Sequence, residues 1–235
     1  MTDNRVPLTV LGGWLGAGKT TWLRHRLHHG STAHVIVNEA AGVPVDDALL
    51  SLAAGLSVLA GGCACCDGRG DLVAALRGLA DRRSAGEALN DVILETSGLA
   101  DPAAIITTLT DDPVLARHFR LTGTTVLVDA VNGAAELAAG TLAIAQIRAA
   151  HALIVTKADA APPLATARLA TTLAALNPLA SLSAAVAGVA VPLADLAAAP
   201  LPLATDTRAV TAVTLPLPEG ADWAALSLWL QALMM

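Results

Sequence analysis

The sequence predicts an α/β fold, a mostly parallel β-sheet with helices on both faces. Two observations predict it. Short runs rich in Val, Ile and Leu alternate with longer helical stretches along most of the chain. The first run leads directly into Gly13-Trp14-Leu15-Gly16-Ala17-Gly18-Lys19-Thr20, which fits G-x-x-x-x-G-K-[ST] between a strand and a helix and makes the fold a P-loop NTPase.

In chain order, "LTVLG" is the first strand and residues 19–29 the helix after it. Further strands are expected at "AHVIVNE" (33–39), "LSVLAGG" (56–62), "DVILETS" (91–97), "TTVLVDA" (124–130) and "ALIVTKAD" (152–159). Their nearly continuous apolar character suits strands covered on both faces. Helices are expected at about 69–83, 101–117, 133–150 and 163–176. Residues 169–194 carry no charge and are long enough to cross a bilayer. Pro178 and Pro192 interrupt them and Asn177 dilutes them, so they read as a buried helix, loop and strand. Beyond residue 205 one strand and one amphipathic helix are expected. This divides the chain into a P-loop domain at 1–205 and an appendage at 206–235.

The chain has 235 residues and a formal net charge of −6, with no block of Lys or Arg. Sequence-independent binding to nucleic acid needs a basic face, so that class is set aside. The opening "MTDNRVPLTV" lacks a basic segment followed by a long apolar run, so the expected location is cytoplasmic, with no membrane partner. Three cysteines in such a chain do not suggest a disulfide framework.

The P-loop implies a nucleotide. Gly13, Gly16 and Gly18 let backbone N–H groups, Ala17 among them, turn toward phosphate oxygens in a cradle that runs from Gly13 to Thr21, and the helix N-terminus adds favourable dipole charge. Lys19 reaches the β- and γ-phosphates and stabilises charge during hydrolysis, while Thr20 ligates Mg²⁺. Glu95, closing an apolar strand in "DVILETSGLADP", is a second Mg²⁺ candidate acting through water. In the same stretch Gly98 brings a backbone N–H to the γ-phosphate, and Ser97 or Asp101 before Pro102 suits a helix N-cap.

Thr156-Lys157-Ala158-Asp159 ends a later strand. The Asp159 carboxylate can accept from N1–H and the exocyclic amine of guanine, whereas adenine presents an acceptor at N1. This favours GTP over ATP. Lys157 lays its stem along the base, and Thr156 supplies a hydroxyl where many GTPases have asparagine.

Cys63, Cys65 and Cys66 crowd into "GGCACCDGRG". Thiolates suit Zn²⁺ and similar ions, and three protein ligands with one open position suit a site that passes metal on. A buried cysteine cluster or a redox thiol is the alternative. His25 and His29, spaced i, i+4, could chelate an ion, but with His28 they read as a solvated helix end.

The ordered set "GGWLGAGKTT", "VIVNEAAGVPVDDALL", "GGCACCDGRGDL", "ILETSGLADP", "VLVDA" and "VTKAD" resembles CobW-like GTPases, over about residues 7 to 190. These belong with the urease and hydrogenase accessory GTPases. The resemblance implies a GTPase, hydrolysing GTP to GDP and phosphate, that handles zinc or cobalt for a client metalloprotein. It implies metal binding by the C-x-C-C thiols and a switch around Asn38 and Glu39, with Glu39 a candidate transition-metal ligand. Where the family usually has N-E-F-G-E, this chain reads Asn38-Glu39-Ala40-Ala41-Gly42. Asp46 keeps the downstream acidic position, as a candidate in the Mg²⁺ shell and in catalysis. The family's C-terminal domain is expected to be reduced to its first strand and helix. Trp223, Leu226, Trp229 and Leu230 would then take cover from the main domain or from a second copy in a homodimer. Two rival functions stay open: a metal sensor or store with negligible hydrolysis, and a P-loop ATPase or kinase without metal handling.

Overall fold

The computed structural model describes residues 3–38, 52–59, 68–193 and 197–203. Eight strands form one sheet: β1 (Val6–Gly13), β2 (His34–Asn38), β3 (Gly55–Leu59), β4 (Val92–Glu95), β5 (Phe119–Asp129), β6 (Ala152–Thr156), β7 (Ser181–Val186) and β8 (Val189–Val191). Their spatial order is β3-β2-β4-β1-β5-β6-β7-β8. All pairings are parallel except β7 with β8, which form a hairpin.

The described helices are α1 (Lys19–His28), α2 (Arg69–Ser84), α3 (Pro102–Asp111), α4 (Pro113–His118), α5 (Gly133–Ala139), α6 (Thr141–Arg148) and α7 (Pro163–Leu176). The helix expected over 101–117 is two helices. Asp112 leaves helical geometry and caps Val114 and Leu115 with its carboxylate, and Pro113 takes the first position of α4. The stretch 133–150 also divides, at extended Gly140. α7 stops at Asn177, whose side chain donates to the carbonyls of Ile147 and Ala150 and so pins the helix end to the core. Among the described residues no helix is long and apolar enough to cross a membrane.

Alternation along the strands gives each face its own core. Val35 and Val37 of β2, Leu11 of β1, Ile93 of β4 and Leu127 of β5 pack with Leu23 and Leu27 of α1. Their neighbours Leu8, Val10, Ile36, Val92 and Leu94 face the other way, onto Leu72 and Leu76 of α2, Ile105 of α3 and Leu115 of α4. Further along that second face, Val126, Val128, Leu153 and Val155 meet Leu137 of α5, Ile147 of α6 and Leu169 and Leu173 of α7. The division follows from right-handed crossovers. The connection from β1 to β2 runs toward the β3 edge and puts α1 on one face. The connections from β3 to β4, β4 to β5, β5 to β6 and β6 to β7 run the opposite way and put α2 to α7 on the other. Each fully buried leucine stabilises the fold by about 1.5–3 kcal/mol.

Because seven consecutive strands are parallel, their carboxyl ends share one rim. Gly13, Asn38, Leu59, Glu95, Asp129 and Thr156 all end strands there. The residues expected to carry chemistry follow from these positions. Glu39, Asp46, Cys63, Cys65, Cys66 and the appendage at 206–235 lie outside the described residues.

Candidate nucleotide site

The rim is built around the turn between β1 and α1. Gly13 has φ 130°, and a Cβ there would come within 2.5 Å of the Leu127 carbonyl oxygen on β5, so only glycine lets the chain leave the sheet here. The loop is held by Ala17 N–H donating to the Trp14 carbonyl at 3.1 Å and by the Trp14 side chain, which is buried in the core under α5 and α6. Gly18 precedes α1 with no side-chain cap, and the first turn of α1 has no acidic residue. A helix N-terminus of this kind offers backbone N–H groups and favourable dipole charge to an anion.

Lys19 Nζ donates to the carbonyls of Gly13 (2.8 Å) and Trp14 (3.0 Å), which ties the ammonium back onto the loop. Thr20 Oγ1 donates to Glu95 Oε1 at 2.9 Å. The two residues are far apart in sequence. They meet because Glu95 ends β4 directly beside Leu11 of β1. Glu95 is 3% exposed. A hydroxyl and a carboxylate facing each other at the P-loop form a hard-oxygen donor set that fits Mg²⁺.

The segment after β4 lies against the P-loop backbone. Thr96 N–H donates to Leu11 O, and a Cβ on Gly98 would sit 2.5 Å from the Leu15 nitrogen and 3.0 Å from the Trp14 carbonyl carbon. Asp101 is the N-cap of α3, accepting from Ala103 N–H at 2.9 Å. Ser97 instead accepts locally from Leu99 N–H. Gln146 of α6 was not singled out in the sequence. It is fully buried, and its Nε2 donates to the carbonyls of Gly98 (3.1 Å) and Ala100 (2.8 Å).

The other wall comes from β5 and β6. Thr156 Oγ1 donates to the Ala17 carbonyl at 2.8 Å, joining the T-K-x-D turn to the P-loop. Lys157 has φ 54°, an uncommon conformation for a side chain with a Cβ, and its Nζ donates to Asp129 Oδ2 at 2.6 Å. Asp129 Oδ1 also accepts from Val131 N–H, and Oδ2 from the Asn132 amide. Burial works to raise the Asp129 pKa, but the hydrogen bonds from Lys157, Val131 and Asn132 outweigh it and hold the carboxyl below its ordinary value. Asp129 is the second residue not singled out. Its signal was an acid closing an otherwise apolar strand in "VLVDA". Asp159, at the end of this turn, is solvent-exposed.

The structure thus gathers Gly13, Gly16, Ala17, Gly18, Lys19, Thr20, Glu95 and Gly98 around one loop, with Thr156 bonded to it. Thr21 lies one residue farther along α1 and lines a different cavity. Asn38 of β2 and Leu59 of β3 are paired neighbours, so the chain departs toward Glu39 and toward Cys63 from adjacent points on this rim.

A family model described as the CobW/HypB/UreG nucleotide-binding domain matches residues 7–184. The zinc chaperone YjiA of Escherichia coli is 40% identical over 162 residues, covering 67% of this chain and 51% of that protein. The zinc-regulated GTPase metalloprotein activator 1 of Schizosaccharomyces pombe is 30% identical over 140 residues, covering 56% of this chain and 33% of that protein. The crystal structure of zinc-bound YjiA GTPase from E. coli superposes with a TM-score of 0.56 at 31% identity, over 78% of this chain and 57% of that one. A zinc-bound triple variant of YjiA gives a TM-score of 0.61 at 31% identity, over 77% and 58%. The chain spans about half the length, or less, of these curated relatives.

Proposed function

The chain belongs to the CobW/HypB/UreG family, and from that premise we propose that it is a GTPase that binds a transition metal, zinc first and cobalt second, and passes it to a client metalloprotein. The observation that carries the catalytic half is the Thr20–Glu95 hydrogen bond at the P-loop. It sets a hydroxyl and a carboxylate where the cation of a nucleotide–Mg²⁺ complex belongs.

Mg²⁺, when bound, neutralises charge on the β- and γ-phosphates. Thr20 would hold it directly and Glu95 through water. The N–H groups of the loop and of the first turn of α1 grip the phosphates. Lys19, released from the Gly13 and Trp14 carbonyls, follows the charge that builds on the bridging oxygen as water attacks the γ-phosphate. Gly98 N–H senses the γ-phosphate, with Gln146 holding its loop against the P-loop from behind. The bond from Thr156 to Ala17 fixes the base turn relative to the phosphates, and Asp129 fixes Lys157, so that Asp159 reads guanine.

For the metal, Cys63, Cys65 and Cys66 supply soft donors, Glu39 is the candidate fourth ligand, and Asp46 belongs to the Mg²⁺ side. Support comes from the adjacent departures of the chain at Asn38 and Leu59 and from relatives named for zinc. The cytoplasm, which keeps such thiols reduced, is the compartment this reading needs. A homodimer is the proposed cover for the apolar face of the appendage.

The test is phosphate release with saturating Mg²⁺–GTP or Mg²⁺–ATP. GTP should be the better substrate, Lys19→Ala should abolish turnover, and Thr20→Val should raise the Mg²⁺ requirement by about ten- to a hundredfold. Faster turnover of ATP, or hydrolysis indifferent to Lys19→Ala, would remove the reading.

A further inference from the structure

Half of the chain's six histidines stand together at the C-terminal end of α1, apart from the residues assigned above to GTP or to the thiolate site. His25 lies in the last turn of α1 and His29 is the residue that follows the helix, and their rings stack with centroids 4.1 Å apart and planes 27° from parallel. His28 meets His29 edge-on at 5.8 Å. All three line a cavity of about 330 Å³ that also touches Leu52 and Ala187. Ala187 is at the tip of the β7–β8 hairpin. The tip lies this close to α1 because residue 188 is glycine, at φ 90°, where a Cβ would collide with the His25 Cβ.

The hydrogen bonding sets the chemistry. His29 Nδ1 lies 2.8 Å from the backbone oxygen of His25. A carbonyl only accepts, so Nδ1 carries a hydrogen, and in the neutral ring the lone pair is on Nε2. Proteins fix imidazoles as metal ligands in this way, with the distal N–H spent on a carbonyl. Carbonyls at the end of α1 add partial negative charge, which favours a cation. Arg24, which also lines the cavity, has an interaction partner of its own.

We propose that His25 and His29 form a second metal site, a two-imidazole chelate for a borderline divalent ion such as Zn²⁺, Ni²⁺ or Cu²⁺. The two rings already lie side by side, centroids 4.1 Å apart, across a single turn of backbone. Among the described residues no group of three or more His, Cys, Asp or Glu side chains converges on a common point. The described residues therefore supply His25 and His29 as the two ligands, and His28 stands beside the chelate. The site goes beyond the thiolate site of the proposed function and needs neither those thiols nor GTP.

The experiment uses the full chain carrying Cys63→Ser, Cys65→Ser and Cys66→Ser, titrated with Zn²⁺ by calorimetry and with Cu²⁺ by electron paramagnetic resonance. The expected result is one retained Zn²⁺ and copper hyperfine structure from two nitrogens. Adding His29→Gln, at an exposed position that keeps a polar side chain, should weaken Zn²⁺ binding by more than about tenfold, since even outer-shell partners of a ligand cost that much. His28→Gln should leave affinity unchanged. In the otherwise native chain, His29→Gln should leave Mg²⁺–GTP hydrolysis at the native rate. No retained Zn²⁺, no nitrogen hyperfine, or equal effects of His28→Gln and His29→Gln would overturn the proposal.

Discussion

Replacing Gly98 with alanine should separate nucleotide binding from hydrolysis. A Cβ at this position would lie 2.5 Å from the Leu15 nitrogen and 3.0 Å from the Leu15 Cα. That is roughly 1 Å short of ordinary van der Waals contact. The obstructing atoms are P-loop backbone, which is tethered by the Ala17–Trp14 turn and by Gly13 against β5, so the 96–101 loop must be the part that gives way. A misplacement of about 1 Å at a catalytic contact costs on the order of a hundredfold in rate. Phosphate release at saturating Mg²⁺–GTP should therefore fall by about that factor, close to 2.7 kcal/mol of transition-state stabilisation. GDP lacks the γ-phosphate that the proposed function assigns to this loop, so the affinity for a fluorescent GDP analogue should stay within about threefold, well under 1.4 kcal/mol. A G98A variant hydrolysing GTP at the native rate would refute the idea that the loop's approach to Leu15 sets the γ-phosphate geometry. So would an equal loss of GDP affinity.

Two other buried side chains give checks of the same kind. Gln146→Leu removes two hydrogen bonds and leaves the Gly98 and Ala100 carbonyls without their donor, which should cost about 1–3 kcal/mol. Thermal melting should fall by several degrees, and turnover should drop further than nucleotide affinity does. The Asp129 carboxyl titrates below its unfolded value, so its contribution is complete above about pH 4 and is lost as pH falls through the folded pKa. Asp129→Asn should thus lower the melting temperature at neutral pH, and the gap from the native protein should close in melts taken below about pH 4. A gap that is constant from neutral to acid pH would mean the ionised carboxylate is not what holds Lys157.

Local signals carried the P-loop, Glu95 and the T-K-x-D turn, because each is a short pattern with a fixed place on a strand or helix end. What the sequence hid was mostly non-local. Gln146 reaches carbonyls 48 and 46 residues away, and nothing in "TLAIAQIR" marks one polar residue as aimed inward. The central place of β1, between β4 and β5, likewise comes from pairing rather than from any local pattern. Elsewhere a visible signal was overridden by periodicity. Asp112-Pro113 has the chemistry of a helix start, yet the apolar spacing on either side runs through it. The first residues of β5, "FRLTG", alternate in exposure and lack the apolar run that marked the other strands, so the strand begins five residues before the expected 124.

The central proposition is that one scaffold makes the phosphate loop and the thiols feel each other, since Asn38 and Leu59 end neighbouring strands on the rim that carries Gly13 and Glu95. Such coupling is reciprocal in free energy. Calorimetric titration of Zn²⁺ into the full chain, once with a non-hydrolysable GTP analogue and once with GDP, reads it directly. A Zn²⁺ affinity that differs between the two nucleotides, and a difference that vanishes in the Cys63→Ser, Cys65→Ser, Cys66→Ser variant, is the expected result. Equal Zn²⁺ affinities with both nucleotides would contradict it.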